Sequence, residues 1–220
     1  MEKGKNRFSP RTPTSDMAAM SIMLYSLPPQ ALTKVDAFAV FPGLGETWRL
    51  VDAVRHWEAS NSARFFFIAG QGPNEVSWES WTVDRLELAP FSLRRREGVV
   101  TQRTATNTKD QAEWLSRQVY DHNAKSLALC ASPFHLLRAY LTVLKTFLDA
   151  ELRIPFLPAP TRVNPSWTIP EVDVNAWALV PGEVERIEEY QAKGWIATTE
   201  EFQSYLQWLW EQKLLTDALR

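Results

Sequence analysis

The sequence predicts an α/β fold: a mostly parallel sheet of five strands with helices on both faces, followed by a helical C-terminal extension. Three observations predict it. Apolar runs of strand length alternate with segments of helical period from Val35 to Leu157. Those runs are apolar throughout rather than alternating, which implies strands buried on both faces. Strands separated by helices imply right-handed βαβ crossovers, and hence a parallel sheet.

The elements follow in order. Residues 1–16 read as a flexible tail, polar and mildly basic through Lys3, Lys5, Arg7 and Arg11. Met17 to Leu27 predicts a short helix capped by Ser15 or Asp16. Val35 to Phe41 is the first strand, and Trp48 to Ser60 a helix with Leu50, Val51, Val54 and Trp57 at helical spacing. Arg64 to Ala69 is the second strand. Glu75 to Ala89 reads as an interrupted helix, and Val99 to Gln102 as a short third strand. Lys109 to Tyr120 is a helix, Ser126 to Ala131 a strand, Phe134 to Leu148 an apolar helix and Arg153 to Leu157 the fifth strand. Ala159 to Pro181 is Pro-rich and aperiodic, so it reads as a surface loop. Two helices follow, Glu183 to Lys193 and Thr199 to Leu215, with Thr198 or Thr199 capping the second. The organisation is thus a tail (1–16), a core (17–160) and a Pro-rich loop with C-terminal helices (161–220).

Composition narrows the functions. With 220 residues, 45% of them hydrophobic, the chain can build one substantial core. The net charge of −2 gives no bulk basic surface for nucleic acid. The lone Cys130 excludes an intramolecular disulfide and fits a reducing compartment. Met17 to Leu27 is about half the ~20 residues of a membrane span, and no cleavage site follows it, so a cytoplasmic location is expected. His56, His122 and His135 lack ligand spacing, so no histidine metal site is expected, while a carboxylate-held Mg²⁺ accompanying a phosphate stays open. Most of the ten tryptophans fall at helical positions and read as packing surface.

In an open parallel sheet, ligands bind beyond the carboxyl ends of the strands. The first such junction, Phe41 to Arg49, holds Gly43 and Gly45, which suit either a tight turn or a close approach to a ligand. Trp48 stands where a dinucleotide fingerprint needs its third glycine. Glu46 and Arg49 flank the helix start. A cation there opposes the helix dipole, so Arg49 either faces an anion or is a solvated surface arginine. Gly70 closes the second strand with the same turn logic. At the third junction, Thr108 with Gln111, or Asn107 with Asp110, forms a capping box; any functional surplus lies in the Asn107 amide. At the fourth, Ser132 predicts an N-cap and Pro133 the first helical position. His135 and Arg138 then share one face at a helix N-terminus, where they make electrostatic sense beside an anion. The alternative for His135 is a neutral, hydrogen-bonded core histidine. Cys130 lies inside a buried strand, and no Gly-x-Ser-x-Gly elbow occurs.

Together these junctions resemble the YdcF/SanA/ElyC-like family of bacterial proteins, a domain of unknown function. The residues carrying the resemblance are Gly43 and Gly45 with Arg49 and Ala53, Asn107-Thr108-x-Asp110-Gln111-Ala112, and Ser132-Pro133-Phe134-His135-x-x-Arg138-Ala139. It spans about Asp36 to Pro158. It implies a Rossmann-like, doubly wound domain with a polar cleft at the strand ends. Members are linked to the cell envelope, and at least one is associated with S-adenosylmethionine. The sequence departs from the family pattern at Gln102, where an acid is usual, at Gln111, where asparagine is usual, and at Asp110, which replaces glutamate. Several members carry a membrane anchor, which Met17 to Leu27 does not match.

Three functions are in view. One is an enzyme acting on a phosphorylated or nucleotide-like small molecule, with His135 as general acid or base and Asp110 orienting substrate or water. Its ligand-binding set would be Gly43, Gly45, Glu46, Arg49, Gly70, Asn107, Thr108, Ser132 and Arg138. A second is a non-catalytic binder of S-adenosylmethionine or a related nucleoside, using the same residues. The third is an interaction protein using the Trp-rich C-terminal helices.

Overall fold

The computed structural model describes residues 12–218. Helix α1 (Pro13–Tyr25) is followed by a 3₁₀ turn (Pro29–Lys34) and strand β1 (Ala37–Val40). Next come α2 (Thr47–Ala59), β2 (Phe65–Ile68), α3 (Val83–Glu87), β3 (Val99–Thr101), α4 (Thr108–Asp121) and β4 (Leu127–Ala131). Then follow α5 (Pro133–Asp149), β5 (Phe156–Pro160), a ribbon of β6 (Thr168–Ile169) and β7 (Val174–Asn175), α6 (Ala176–Ala192), α7 (Thr199–Trp210) and α8 (Lys213–Thr216).

The five strands β1 to β5 form one all-parallel sheet in the order β3-β2-β1-β4-β5. This is the doubly wound α/β architecture. Every residue of β1 and β4 is buried, as continuous apolar strands require. From β1 the chain winds outward through α2 to β2, and from β4 it winds the opposite way through α5 to β5. Right-handed crossovers in opposite directions put α2 and α5 on opposite faces. Helix α4 crosses in the same sense as α5 and packs against it. The winding reverses between β1 and β4, and the carboxyl ends of those two strands are the switch point where such sheets bind ligands.

Five elements differ from expectation. Of the interrupted helix expected over Glu75 to Ala89, only α3 (Val83–Glu87) is helical, capped by Thr82. Helix α1 starts at Pro13, capped by Thr12 in a reciprocal box with Ser15, rather than at Met17. Pro13 to Asp16 is therefore helix; the rest of the expected tail, residues 1–11, lies outside the described residues. Strand β5 runs three residues later than predicted and holds Pro158 and Pro160. As an edge strand paired only with β4, it tolerates prolines that a central strand would not. The expected loop from Ala159 contains the β6–β7 ribbon and the start of α6. Asn175 caps α6 by accepting from the Ala178 N–H, and the helix continues through Pro181. The last predicted helix divides into α7 and α8, with Thr198 as the cap of α7. Among the described residues no helix is long and apolar enough to cross a membrane.

Gly70 is a packing glycine. A Cβ there would sit 2.6–2.7 Å from the Thr104 backbone, where the chain after β2 still runs beside the chain after β3. Gly70→Ala is expected to destabilise the fold by about 1–3 kcal/mol, the usual cost of overpacking. A matching fall in the thermal midpoint checks this.

Candidate functional site

A cavity of about 190 Å³ opens at the switch point. Its wall includes Gly43, Leu44 and Arg49 from the first junction, Thr106 to Thr108 and Gln111 from the third, and Phe134, His135 and Arg138 from the fourth. The three junctions singled out in the sequence therefore meet in one cleft. Glu75, Glu183 and Arg186 also line it.

The first junction turns through Leu44 (φ 54°) and Gly45 (φ 71°). A side chain at Gly45 would also meet Pro170, 2.9 Å away, so the glycine serves the turn and a close approach by the chain before β7. Arg49 does not reach freely into the cleft. Its Nε donates to Ser132 Oγ (3.0 Å) and its Nη1 to the Phe41 carbonyl (3.1 Å), while Nη2 pairs with Glu46. Ser132 Oγ in turn donates to Glu46 Oε1 (2.6 Å). Glu46, Arg49 and Ser132 are all buried. The arginine that opposes the α2 dipole is thus answered by an internal carboxylate three residues earlier. Burial pushes Arg49 down to about 9, against the pull of Glu183 and Glu75, and it stays protonated at neutral pH. Ser132 stands at the N-cap of α5 but makes no side-chain cap bond, because its hydroxyl is committed to this network.

Glu75 gave no signal in the sequence. Its Oε2 accepts from the Leu44 N–H (2.9 Å) and its Oε1 from the Gly72 N–H (3.0 Å). Those are the backbone donors that a glycine turn would offer to a ligand anion. Gln111 fastens the same loops together: its Nε2 donates to the carbonyls of Gly70 (2.7 Å) and Pro42 (3.3 Å). Gln102 Oε1 accepts from the Gly70 N–H (3.1 Å).

Asn107 is the N-cap of α4 and accepts from the N–H groups of Lys109 and Asp110. Its amide nitrogen donates one N–H to Thr106 Oγ1 (3.0 Å), and the residue lines the cleft. Asp110 is not in the cleft wall. Its Oδ2 accepts from the Thr106 N–H (3.0 Å) and hydroxyl, so only the Asn107 half of the expected box forms, with the Asp110 N–H donating to Asn107 Oδ1 (3.0 Å). Glu46, Gly45, Gly70 and Ser132 also lie outside the wall and support it from behind. Thr108 lines the cleft and accepts from Arg138 Nη1 (3.2 Å).

The fourth junction holds the chemistry. Arg138 Nε donates to Glu183 Oε2 (2.6 Å), Nη2 donates to Glu183 Oε1 (3.1 Å), and Arg186 Nη1 reaches Glu183 Oε1 (3.0 Å). Arg138 Nη2 also lies 3.0 Å from His135 Nδ1. Glu183 Oε2 lies 3.4 Å from the same Nδ1. A guanidinium can only donate, so we assign Nδ1 as the acceptor of the shorter Arg138 contact, with the proton of the neutral ring on Nε2. Burial first, then the charge of Arg138, push the imidazole down to about 4. Burial alone would push the Glu183 carboxyl up. The His135 ring and the Arg138 guanidinium outweigh it and hold the carboxyl below the usual range. At neutral pH the ring is uncharged, and Arg138 is the partner that keeps Glu183 ionised. Glu183 and Arg186 come from α6, 45 and 48 residues beyond Arg138. Their i, i+3 spacing was readable, but nothing local brings α6 onto α5.

No cluster of three or more His, Cys, Asp or Glu side chains suited to a metal occurs among the described residues. Cys130 is buried, which pushes its thiol up and leaves no thiolate for attack. No family model matches the chain, and no curated protein matches it.

Proposed function

We propose that the chain binds a compact anionic small molecule of the phosphorylated class, with its anionic group lodged among Arg138, Arg186 and His135. One observation carries this reading: the cleft at the switch point already holds a carboxylate, Glu183, bound by two guanidinium groups as an anionic ligand would be. The neutral His135 ring offers its Nε2 proton as a hydrogen-bond donor. The N-terminal ends of α4 and α5 at the cleft add positive potential.

Size limits the ligand. At about 190 Å³ the cleft is smaller than the ~300–1,000 Å³ of pockets that enclose whole drug-sized ligands. It suits a phosphate with its immediate substituent better than an entire nucleotide or S-adenosylmethionine. Turnover is the second reading, favoured by the position of His135 in the wall. A histidine near 4 with Nδ1 engaged by Arg138 is a weak general base. A bound anion offsets the field of Arg138 and raises the imidazole pKa, so catalysis by His135 would need ligand to activate it.

Calorimetry with inorganic phosphate and simple phosphate monoesters tests the reading, with a product assay run alongside. Arg138→Ala is expected to weaken phosphate binding at least tenfold, by loss of a charge-assisted donor pair. Glu183→Gln removes the competing carboxylate and is expected to tighten phosphate binding by roughly tenfold. A merely structural Glu183 would not produce that gain. Absence of binding across the panel, or weaker binding in Glu183→Gln, would sink the proposal. Product formation that His135→Gln abolishes would establish the enzyme reading.

A further inference from the structure

We infer that the anion bound in the cleft carries a hydrocarbon group, and that this group occupies a second, apolar cavity that adjoins the cleft at Phe134. The inference rests on the cleft being an anion site.

The second cavity has a volume of about 260 Å³ and is walled by Pro133, Phe134, Val163, Pro165, Trp177 and Val180, with Ala176 at its edge. Phe134 lines both cavities, so the two adjoin at this residue. The Arg49 guanidinium lies 5.8 Å from the centre of that ring. The ring thus has a charged neighbour from the cleft and apolar neighbours in the slot.

Helix α6 contributes to both sites. Trp177 and Val180 line the slot, and Glu183 and Arg186 line the cleft. These four are spaced three residues apart, on a row that winds about 60° around the helix at each step, from the slot round to the cleft. At ~1.5 Å rise per residue, the row changes from apolar to charged over roughly 9 Å of helix axis and about a third of a turn, between Trp177 and Glu183. That is the length and polarity of a small amphiphile. Trp177 is 70% exposed and Val180 39% exposed, so the slot leaves apolar surface uncovered beside the charged cleft.

The chemistry of the slot selects its occupant. Apart from the indole N–H of Trp177, its lining side chains carry no polar atom. A nucleobase lodged there would leave ring acceptors and amino groups without side-chain partners, a cost that a hydrocarbon avoids. The ligand class is therefore an alkyl or aryl phosphate ester rather than a nucleotide.

The test is calorimetry on the full chain with inorganic phosphate, methyl, butyl, hexyl and octyl phosphate, and adenosine monophosphate. Affinity is expected to rise roughly threefold to fourfold per methylene until the slot is filled. In Trp177→Ala and Val180→Ser, both at positions exposed enough to tolerate substitution, the ratio of octyl to methyl phosphate affinity should fall at least tenfold. Equal affinity for methyl and octyl phosphate, or tighter binding of adenosine monophosphate than of octyl phosphate, would overturn the inference and leave the anion site standing. Failure of every phosphate compound to bind would overturn both.

Discussion

Arg49→Ala is expected to lower the unfolding free energy by about 3–5 kcal/mol, the range seen when one partner of a buried ion pair is removed. Against a typical total of ~5–15 kcal/mol, that is a large fraction of the stability. The reason lies in what the substitution leaves behind. The Glu46 side chain is fully buried, and without Arg49 it keeps only the Ser132 hydroxyl (2.6 Å) and the Trp48 indole N–H (3.1 Å) as donors. The Phe41 carbonyl at the end of β1 loses its donor as well. Two neutral donors do not repay the desolvation of a carboxylate. The double variant Arg49→Met with Glu46→Leu removes both charges and is expected to recover most of the loss, since apolar replacements of buried pairs are often near neutral. Urea denaturation of the single and double variants measures both effects. A loss below 1 kcal/mol in Arg49→Ala would show that water reaches the pair and that Arg49 is a cleft arginine first.

That pair also shows what was legible in the sequence. The mismatch was real for the arginines, which do call for a nearby negative charge, whereas His135 is the neutral, hydrogen-bonded ring of the other reading. What one sequence could not tell is whether that charge belongs to a ligand or to the chain. For Arg49 it is Glu46, three residues earlier. For Arg138 it is Glu183, 45 residues later, on a helix that reaches the cleft by tertiary packing, chiefly against α5. Local signals worked where local forces decide. The central strands were readable because they are buried on both faces, and the site-bearing junctions because each follows a strand. They failed where tertiary context overrides propensity. Pro158 and Pro160 argue against a strand unless it is known to lie at an edge. Pro181 argues against a helix, yet α6 begins at an asparagine cap six residues earlier and runs through it. Asp110 and Asn107 look like ligand residues by type, but Asp110 Oδ2, Asn107 Oδ1 and one Asn107 amide N–H bond within their own turn.

Acidification should expose the state of His135 directly. Its imidazole sits at about 4 in the fold against the usual 6.5. As pH falls below ~6.5 the unfolded chain therefore takes up a proton that the folded chain refuses. The stability tied to the neutral ring is fully present above ~6.5 and is lost at ~1.4 kcal/mol per pH unit down to about 4, on the order of 3 kcal/mol in all. Glu183, held below the usual carboxylate range, adds stability above ~4.5 that is lost only as pH falls through its depressed value, so its window lies below that of His135. The groups facing the ring are Arg138 on its own helix, Glu183 on α6 and Arg49 on α2, and the two arginines both oppose protonation. His56 is also lowered, by burial, so the comparison must be between the chain and His135→Gln rather than against a flat line. The variant should lose less stability than the parent between pH 6.5 and 4. Inorganic phosphate, by offsetting the arginines, should raise the His135 titration midpoint in the folded chain when followed by NMR. Identical pH slopes for the two proteins would mean that His135 titrates in the fold near its ordinary value. The ring would then be poised for proton transfer at neutral pH, and the balance would move from a neutral hydrogen-bond donor in a binding site to a general acid–base in an enzyme.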